Sequence, residues 1–464
     1  MMQEAPQQAK KSNELLDLLD KGALQDVQAG FVNAHAADIA DVINRAPQDL
    51  QLDLFASVKP DLKADVLAEL EDVAGSEIIN ALSDAELSTV FEDMAPDSAA
   101  DVLADIPKDR SMHLLNLMHK EESDDVRKLL TYTEDSAGGI MTTDIVTMDA
   151  DQTVDEALQA IAYIDTHEPF YQAHIIDESG RLTGYVDVWE LLRERDRGNK
   201  LATIAHTEFV SANVSMDQED VALLMSKYDL TVIPVVDDNN ILVGRITSED
   251  VIDVMEEEAS EDILRLAGSD DAELESQSAL KSCAIRLPWL FITLFGGFAT
   301  SLILHHFQKE ASLAGMLVLC AFIPSVLAMG GNTGIQSSTL VVRSISLGNL
   351  RNRNIFRLLL REIFVGMIMG CICGAMIGLW AHFVINNGST PVDVSPVIMA
   401  VAVAIALFSA MTFATTFGAL VPIMLDKMHI DPAVASGPFI TIANDISALL
   451  IYFGITLLLI LGLT

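Results

Sequence analysis

After Cys283 the chain consists largely of five long apolar runs, at roughly 287–306, 313–342, 357–385, 394–424 and 433–463. At about 1.5 Å of rise per residue, each can cross a hydrocarbon layer of about 30 Å, so each reads as a membrane-spanning helix. The loop between the second and third runs holds Arg343, Arg351, Arg353, Arg357 and Arg361, whereas Asn386 to Ser395 contains no Lys or Arg. Basic short loops stay on the cytoplasmic side. This predicts a multi-pass protein of the inner (plasma) membrane with everything before Cys283 in the cytoplasm and the C-terminus outside.

Charge divides at the same place. Of 67 Asp and Glu, 61 precede Cys283, together with only 20 of the 28 Lys and Arg. So acidic a region excludes nucleic acid as a partner, since phosphate contact needs Lys and Arg. It suits solubility or the attraction of cations. Cys283, Cys320, Cys371 and Cys373 all lie in the apolar part and read as packing residues, not as a disulfide framework. Met1 to Lys11 is polar, so no signal peptide is expected.

From about Glu14 to Thr131 one theme recurs, as in Ala36–Ile43, Lys63–Leu70 and Ala99–Ile106, with apolar residues at helical spacing. Pro47, Pro60, Pro96 and Pro107 separate short helices. Imperfect repetition of this kind predicts stacked helical hairpins in a small superhelical array.

A different repeat follows. His174-Ile175-Ile176-Asp177 leads to Gly184-Tyr185-Val186-Asp187 with the spacing at which Pro234-Val235-Val236-Asp237 leads to Gly244-Arg245-Ile246-Thr247. Each half reads as strand, turn, strand and helix (Val188 to Leu192, Ser248 to Met255), preceded by helices near Asp155 to Ile161 and Glu219 to Lys227. The pattern resembles tandem CBS domains. In nucleotide-binding members a Gly-x-x-Thr/Ser-x-x-Asp run places hydroxyl and carboxylate on the ribose. Gly244, Thr247 and Asp250 match it, implying ATP as a regulatory ligand, while the first repeat has Asp187 and Glu190 instead.

The helix leaving the second repeat gathers Asp250, Asp253, Glu256, Glu257, Glu258, Glu261 and Asp262. Like charges at i,i+4 cost about 0.2–0.5 kcal/mol per pair, a repulsion that a hard divalent cation would relieve with oxygen ligands. A solvated acidic face is the plainer alternative. Two features of the apolar half also point to cations. The second run carries Pro324, then Gly330-Gly331-Asn332-Thr333-Gly334-Ile335-Gln336-Ser337-Ser338, more polar and glycine-rich than helix packing alone requires. The last run contains Asp445 and no basic residue to pair with it. A carboxylate there costs roughly 2.5–3.5 kcal/mol and normally faces a bundle interior or a wet pathway.

The Pro-x5-Gly-Gly-Asn-x-Gly-x-Gln-Ser run, Thr441 and Asp445, and Asp431-Pro432 together resemble the MgtE family of magnesium channels, as does the order of segments over essentially the whole chain. The resemblance implies a homodimer in the lipid bilayer, with a pore on its two-fold axis and hydrated Mg2+ held by Asp445. It implies regulatory Mg2+ at Asp250, Asp253, Glu258, Glu261 and Asp262, and at Asp97 and Asp101 of the N-terminal domain. Gly330, Gly331, Asn332, Thr441 and Asn444 would line the pathway around the outer waters. A Gly common three residues after the pore Asp is Ala448 here. The expected fold is multidomain: an all-α superhelical N-domain (1–134), an α/β tandem CBS module (135–198 and 199–257), a connecting helix (258–284) and an all-α five-helix transmembrane domain (285–464). The expected function is a Mg2+ channel closed by cytosolic Mg2+ binding between the acidic N-domain, the CBS domains and the connecting helix, and not an enzyme. The alternatives are a coupled secondary transporter of Co2+, Mn2+ or Mg2+, for which no inverted repeat is visible, or a membrane-anchored Mg2+ sensor.

Overall fold

The computed structural model describes residues 5–164, 169–270, 273, 278–310, 319–348, 355–387, 395–435 and 437–463. The chain forms two compact units, Met1–Glu256 and Glu257–Thr464.

The first unit begins with short helices, from Ala5–Asp20 to Lys120–Leu129. The prolines set where they start. Pro96 and Pro60 stand in the first turns of Pro96–Ala104 and of a 3-10 turn, and Pro47 and Pro107 immediately precede Gln48–Ala56 and Lys108–Leu117. A proline there loses no hydrogen bond, because the first amides of a helix have no partner within it. Each helix turns one apolar stripe inward, so that Ile39, Ile43, Leu54, Phe55, Leu87 and Leu103 are essentially inaccessible.

Two three-stranded sheets follow, β1 (Thr147–Asp149), β2 (Gln172–Ile176) and β3 (Leu182–Asp187), then β4 (Ala212–Asn213), β5 (Val232–Val236) and β6 (Leu242–Thr247). In each, the first strand runs parallel to the second and the second antiparallel to the third. Registers correspond: Ile175 faces Gly184 as Val235 faces Gly244. The hairpin turns also match. Asp177 Oδ1 accepts the amides of Ser179 and Arg181, and Asp237 Oδ1 those of Asn239 and Ile241. The repeats join reciprocally, Leu182 N–H donating to Asn240 O (3.2 Å) and Leu242 N–H to Gly180 O (3.1 Å). The short strands β1 and β4 were not expected, because two or three residues carry no readable periodicity.

The boundary between the units falls inside one helix, Ser248–Ala267, which unites the last helix of the second repeat with much of the expected connecting element. It ends at Gly268, whose φ of +74° favours glycine, with Ser269 N–H reaching back to Leu264 O. A new helix begins only at Ala279.

Five helices of 24 to 33 residues make up most of the second unit: Ala279–Glu310, Ile323–Ser346, Ile355–Asn387, Pro396–Lys427 and Pro438–Leu463. Among the described residues, four of them have both the length and the hydropathy to cross a membrane. The helix that falls short, Ile323–Ser346, is the one diluted by Gly330 to Ser338, and the first part of its expected span lies outside the described residues. The third and fourth helices pack through a ladder of small residues absent from the sequence-based expectations. Gly366, Gly370, Gly374 and Gly378 are buried, and a Cβ on Gly370 would sit 2.9 Å from Phe408 O. Such residues let backbones approach where no hydrophobic effect drives helices together. Phe364, Ile368, Ile372, Met376 and Leu379 are exposed, as suits a lipid-facing surface.

Candidate cation sites

Asp445 lies on the last helix, half-buried, and among the described residues no donor or base reaches its carboxylate. The glycine-rich helix packs directly against it. A Cβ on Gly331 would lie 3.8 Å from both Asp445 Oδ1 and Thr441 Cγ2, and one on Gly330 would lie 3.4 Å from Ala448 Cβ. Gly334 leaves room for Asn444, which any side chain at 334 would strike. Asn444 is 1% exposed, and neither atom of its amide has a hydrogen-bond partner. A buried amide without partners costs about 1–3 kcal/mol, so an unsatisfied polar group is held next to Asp445 in the chain. Gly330, Gly331, Thr441 and Asn444 are therefore brought to Asp445. Asn332 is not: with Gln336 it stands on an exposed face of the same helix.

A second carboxylate in the apolar unit was missed. Glu362, in the third helix, is 5% exposed and accepts a 2.8 Å hydrogen bond from Ser337 Oγ. Beside Arg357 and Arg361 it reads in sequence as a loop flank, and only the fold shows it covered.

In the same unit, the end of helix Ser248–Ala267 is tied at two points. Ser346 Oγ donates to Asp262 (2.7 Å), and Arg265 pairs with both Glu261 and Asp431. Burial raises the Asp262 pKa, against the Ser346 bond that lowers it. Asp431 also caps the turn after it, accepting from the Ala433 amide. Asp431, quoted in sequence only as part of a motif, is thus a partner of the acidic helix.

In the first unit the fold gathers acids distant in sequence. Asp250 is pushed up to about 6 by burial, with Asp97 and Asp253 adding to the effect and hydrogen bonds from Thr247 opposing it. Burial raises Asp97 as well, against its hydrogen bonds with the backbone and Thr142, and its Oδ1 is buried without a partner. An orphaned acceptor beside a second carboxylate fits a hard cation with oxygen ligands. Asp101 instead lines a cleft of about 390 Å³ with Lys108, Arg127 and Glu134. Asp253 is exposed, its pKa raised by burial and then by Glu256 and Glu249. Glu258 lies half-buried in the second unit.

The nucleotide-like run is partly closed on itself. Asp250 accepts from the Thr247 amide (2.7 Å) and hydroxyl (3.0 Å), capping the acidic helix. Gly244 is needed for close approach, since a Cβ would sit 2.8 Å from Thr142 O.

These features define a protein with a bundle of membrane-length apolar helices that carries a polar seam, and a separate acidic unit. Comparison with known proteins agrees. The divalent cation transporter family MgtE matches residues 323–455, the MgtE intracellular N domain residues 34–135, and the CBS domain residues 137–197 and 201–257. The magnesium transporter MgtE of Bacillus subtilis is 32% identical over 442 residues, 95% of each chain. That of Thermus thermophilus is 35% identical over 350 residues, 75% of each. A crystal structure of the cytosolic domain of the Mg2+ channel MgtE in complex with ATP aligns with 52% of this chain and 99% of that one, at 29% identity and a TM-score of 0.48. The chain belongs to the MgtE family.

Proposed function

We propose that this protein is a homodimeric Mg2+ channel that admits Mg2+ down its electrochemical gradient and closes when cytosolic Mg2+ binds its acidic regions. The observation that carries the reading is Asp445, an unpaired carboxylate in an apolar helix, set against the small-residue face of Gly330 and Gly331. Mg2+ dehydrates reluctantly, so a carboxylate gripping it through its water shell matches its chemistry. Two copies of Asp445 across a two-fold axis would attract the hydrated dication without stripping it. Asn444 and Thr441 offer the nearest groups for the outer waters, and Asn332 would serve only from the exposed face of its helix. The membrane potential supplies about 2.3 kcal/mol per charge per 100 mV, and about twice that for a dication. The basic loop would keep Met1–Glu256 cytoplasmic and place the C-terminus outside.

Regulation rests on Asp97, Asp101, Asp250, Asp253, Glu258, Glu261 and Asp262. Bound Mg2+ neutralises them, and their repulsion without it favours the open state. Moving such a gate from 1:99 to 99:1 needs about 5.5 kcal/mol of differential binding, which several sites can share. For Glu261, Mg2+ has to compete with Arg265. ATP at Gly244, Thr247 and Asp250 would require Asp250 to loosen its cap on Thr247. Mg2+ flux into liposomes containing purified protein, with internal Mg2+ varied, tests the reading. A linear, second-ion-independent flux supports a channel, and a saturating flux that needs a co-ion supports a coupled transporter instead.

A further inference from the structure

The two CBS repeats carry different chemistry at equivalent positions. By register, Tyr185 of β3 corresponds to Arg245 of β6. Each forms an isolated bridge with the segment preceding the other repeat's first strand, Arg245 with Thr142 and Tyr185 with His206. The trio Thr142, Thr247 and Asp250 in the second repeat therefore corresponds to His206, Asp187 and Glu190 in the first. In the second, Asp250 is occupied by Thr247. In the first, ligating atoms of Asp187, Glu190 and His206 lie within 4.8 Å of one another, with His206 Nε2 2.9 Å from Glu190 Oε2.

We propose that Asp187, Glu190 and His206 form a binding site for a borderline transition-metal dication of the Zn2+, Co2+ and Ni2+ class, distinct from the Mg2+ sites. One imidazole and two carboxylates suit those ions, whereas Mg2+ takes oxygen ligands. The trio is held in place as a ligand set should be. Two backbone hydrogen bonds, of 3.1 and 2.8 Å, clamp His206 to Tyr185, and the two rings stack with centroids 5.1 Å apart. Gly184 permits that clamp, since a Cβ there would lie 2.7 Å from His206 O. Asp187 precedes the helix Val188–Arg193 yet its side chain does not cap it; its Oδ1 accepts instead from Gln172 Nε2 (3.1 Å), a bond that restrains the carboxylate. All three residues retain solvent access, so an ion can enter.

The test is calorimetric titration of the full-length protein in detergent with Zn2+, in excess Mg2+ to fill the oxygen-only sites. One Zn2+ per chain should bind with Mg2+ unable to displace it, and the zinc X-ray absorption edge should show an imidazole ligand. His206→Gln and Glu190→Gln should each weaken that binding by about tenfold or more, while the control His113→Gln, in helix Lys108–Leu117 and outside the trio, leaves it unchanged; thermal melts confirm that each variant folds. Equal Zn2+ binding in wild type and His206→Gln, or displacement of Zn2+ by Mg2+, overturns the proposal and reduces Glu190 and His206 to an ordinary surface ion pair.

Discussion

Asp445 and the Asp97–Asp250 pair are the same functional group in two opposed settings. Asp445 is an unpaired carboxylate in an apolar bundle, with glycine backbone and an unpartnered Asn444 amide beside it. Asp97 and Asp250 are half-buried acids close enough for Asp97 to add to the effect of desolvation in raising the Asp250 pKa. In the channel proposed above, an acid with no carboxylate beside it on its own chain would attract a dication weakly enough to release it, which suits conduction. Acids crowded together repel until an ion arrives, which suits sensing, because the energy returned on binding can drive a shape change. On the function proposed above, the arrangement of carboxylates, more than their number, would separate transport from regulation.

The sharpest way to break this comparison is Asp445→Asn. Removing one charge at an effective dielectric near 20 forfeits at least ~2 kcal/mol of attraction for the ion, so Mg2+ flux into liposomes should fall about 30-fold or more. Wild-type flux in that variant would show that charge at 445 is dispensable. Gly331→Leu comes next. Its side chain would be driven onto Asp445 and Thr441, and flux should be lost with the wild-type elution profile kept on size exclusion; normal conduction would detach the glycine face from the pathway.

On the proposed reading, neutralising acids of the acidic helix should leave conduction intact and move its control. Asp250→Asn combined with Glu258→Gln should raise the Mg2+ concentration for half-closure about tenfold, equivalent to ~1.4 kcal/mol of lost binding. Closure at the wild-type concentration would make the acidic face mere solvated surface.

Smaller effects come from proton linkage. Asp250, at about 6 against an ordinary value of 3.8, binds protons more readily folded than unfolded, so it costs stability as pH rises through that window. His174, 1% exposed with both ring nitrogens lacking partners, has its pKa pulled down to about 4 by burial and by the Arg245 charge. Unfolded it would take a proton near 6.5, so its stability contribution is lost as pH falls toward 4. The two slopes oppose each other between about pH 4 and 6. Melting temperatures of the full-length protein across this range should therefore slope upward with pH in Asp250→Asn and downward in His174→Phe; parallel curves for both variants would refute the assignment. The least effect is expected at the other buried acid. Glu362→Gln keeps a partner for Ser337 and should conduct as wild type, whereas Glu362→Ala should lose about 1–3 kcal/mol of stability by leaving a buried group unpaired.

Much of this architecture is legible in the sequence because it depends on local order. The paired strands before Asp177 and Asp187, and before Asp237 and Thr247, follow from a repeat of identical spacing, and the proline-led helices of the first unit follow from local capping. Asp445 stands out because a charge amid apolar neighbours is visible without any fold. Glu362 did not stand out, since its exposure depends on Ser337 from another helix. The glycines at 366, 370, 374 and 378 show a clear period once the packing partner is known, but small residues in an apolar run are common enough to pass unremarked.

The sequence alone determined the two-part composition, the helical and CBS repeats, the apolar runs and the isolated acid, all properties of residues close together along the chain. Only the tertiary structure decided which acids share a site: Asp97 with Asp250, Asp431 with Arg265 and Glu261, and Asp187 and Glu190 with His206. It also turned Asn332 away from Asp445 and set Asn444 against Gly334. Burial and charge–charge proximity are properties of space, and chain order specifies them only through the packing of many side chains at once.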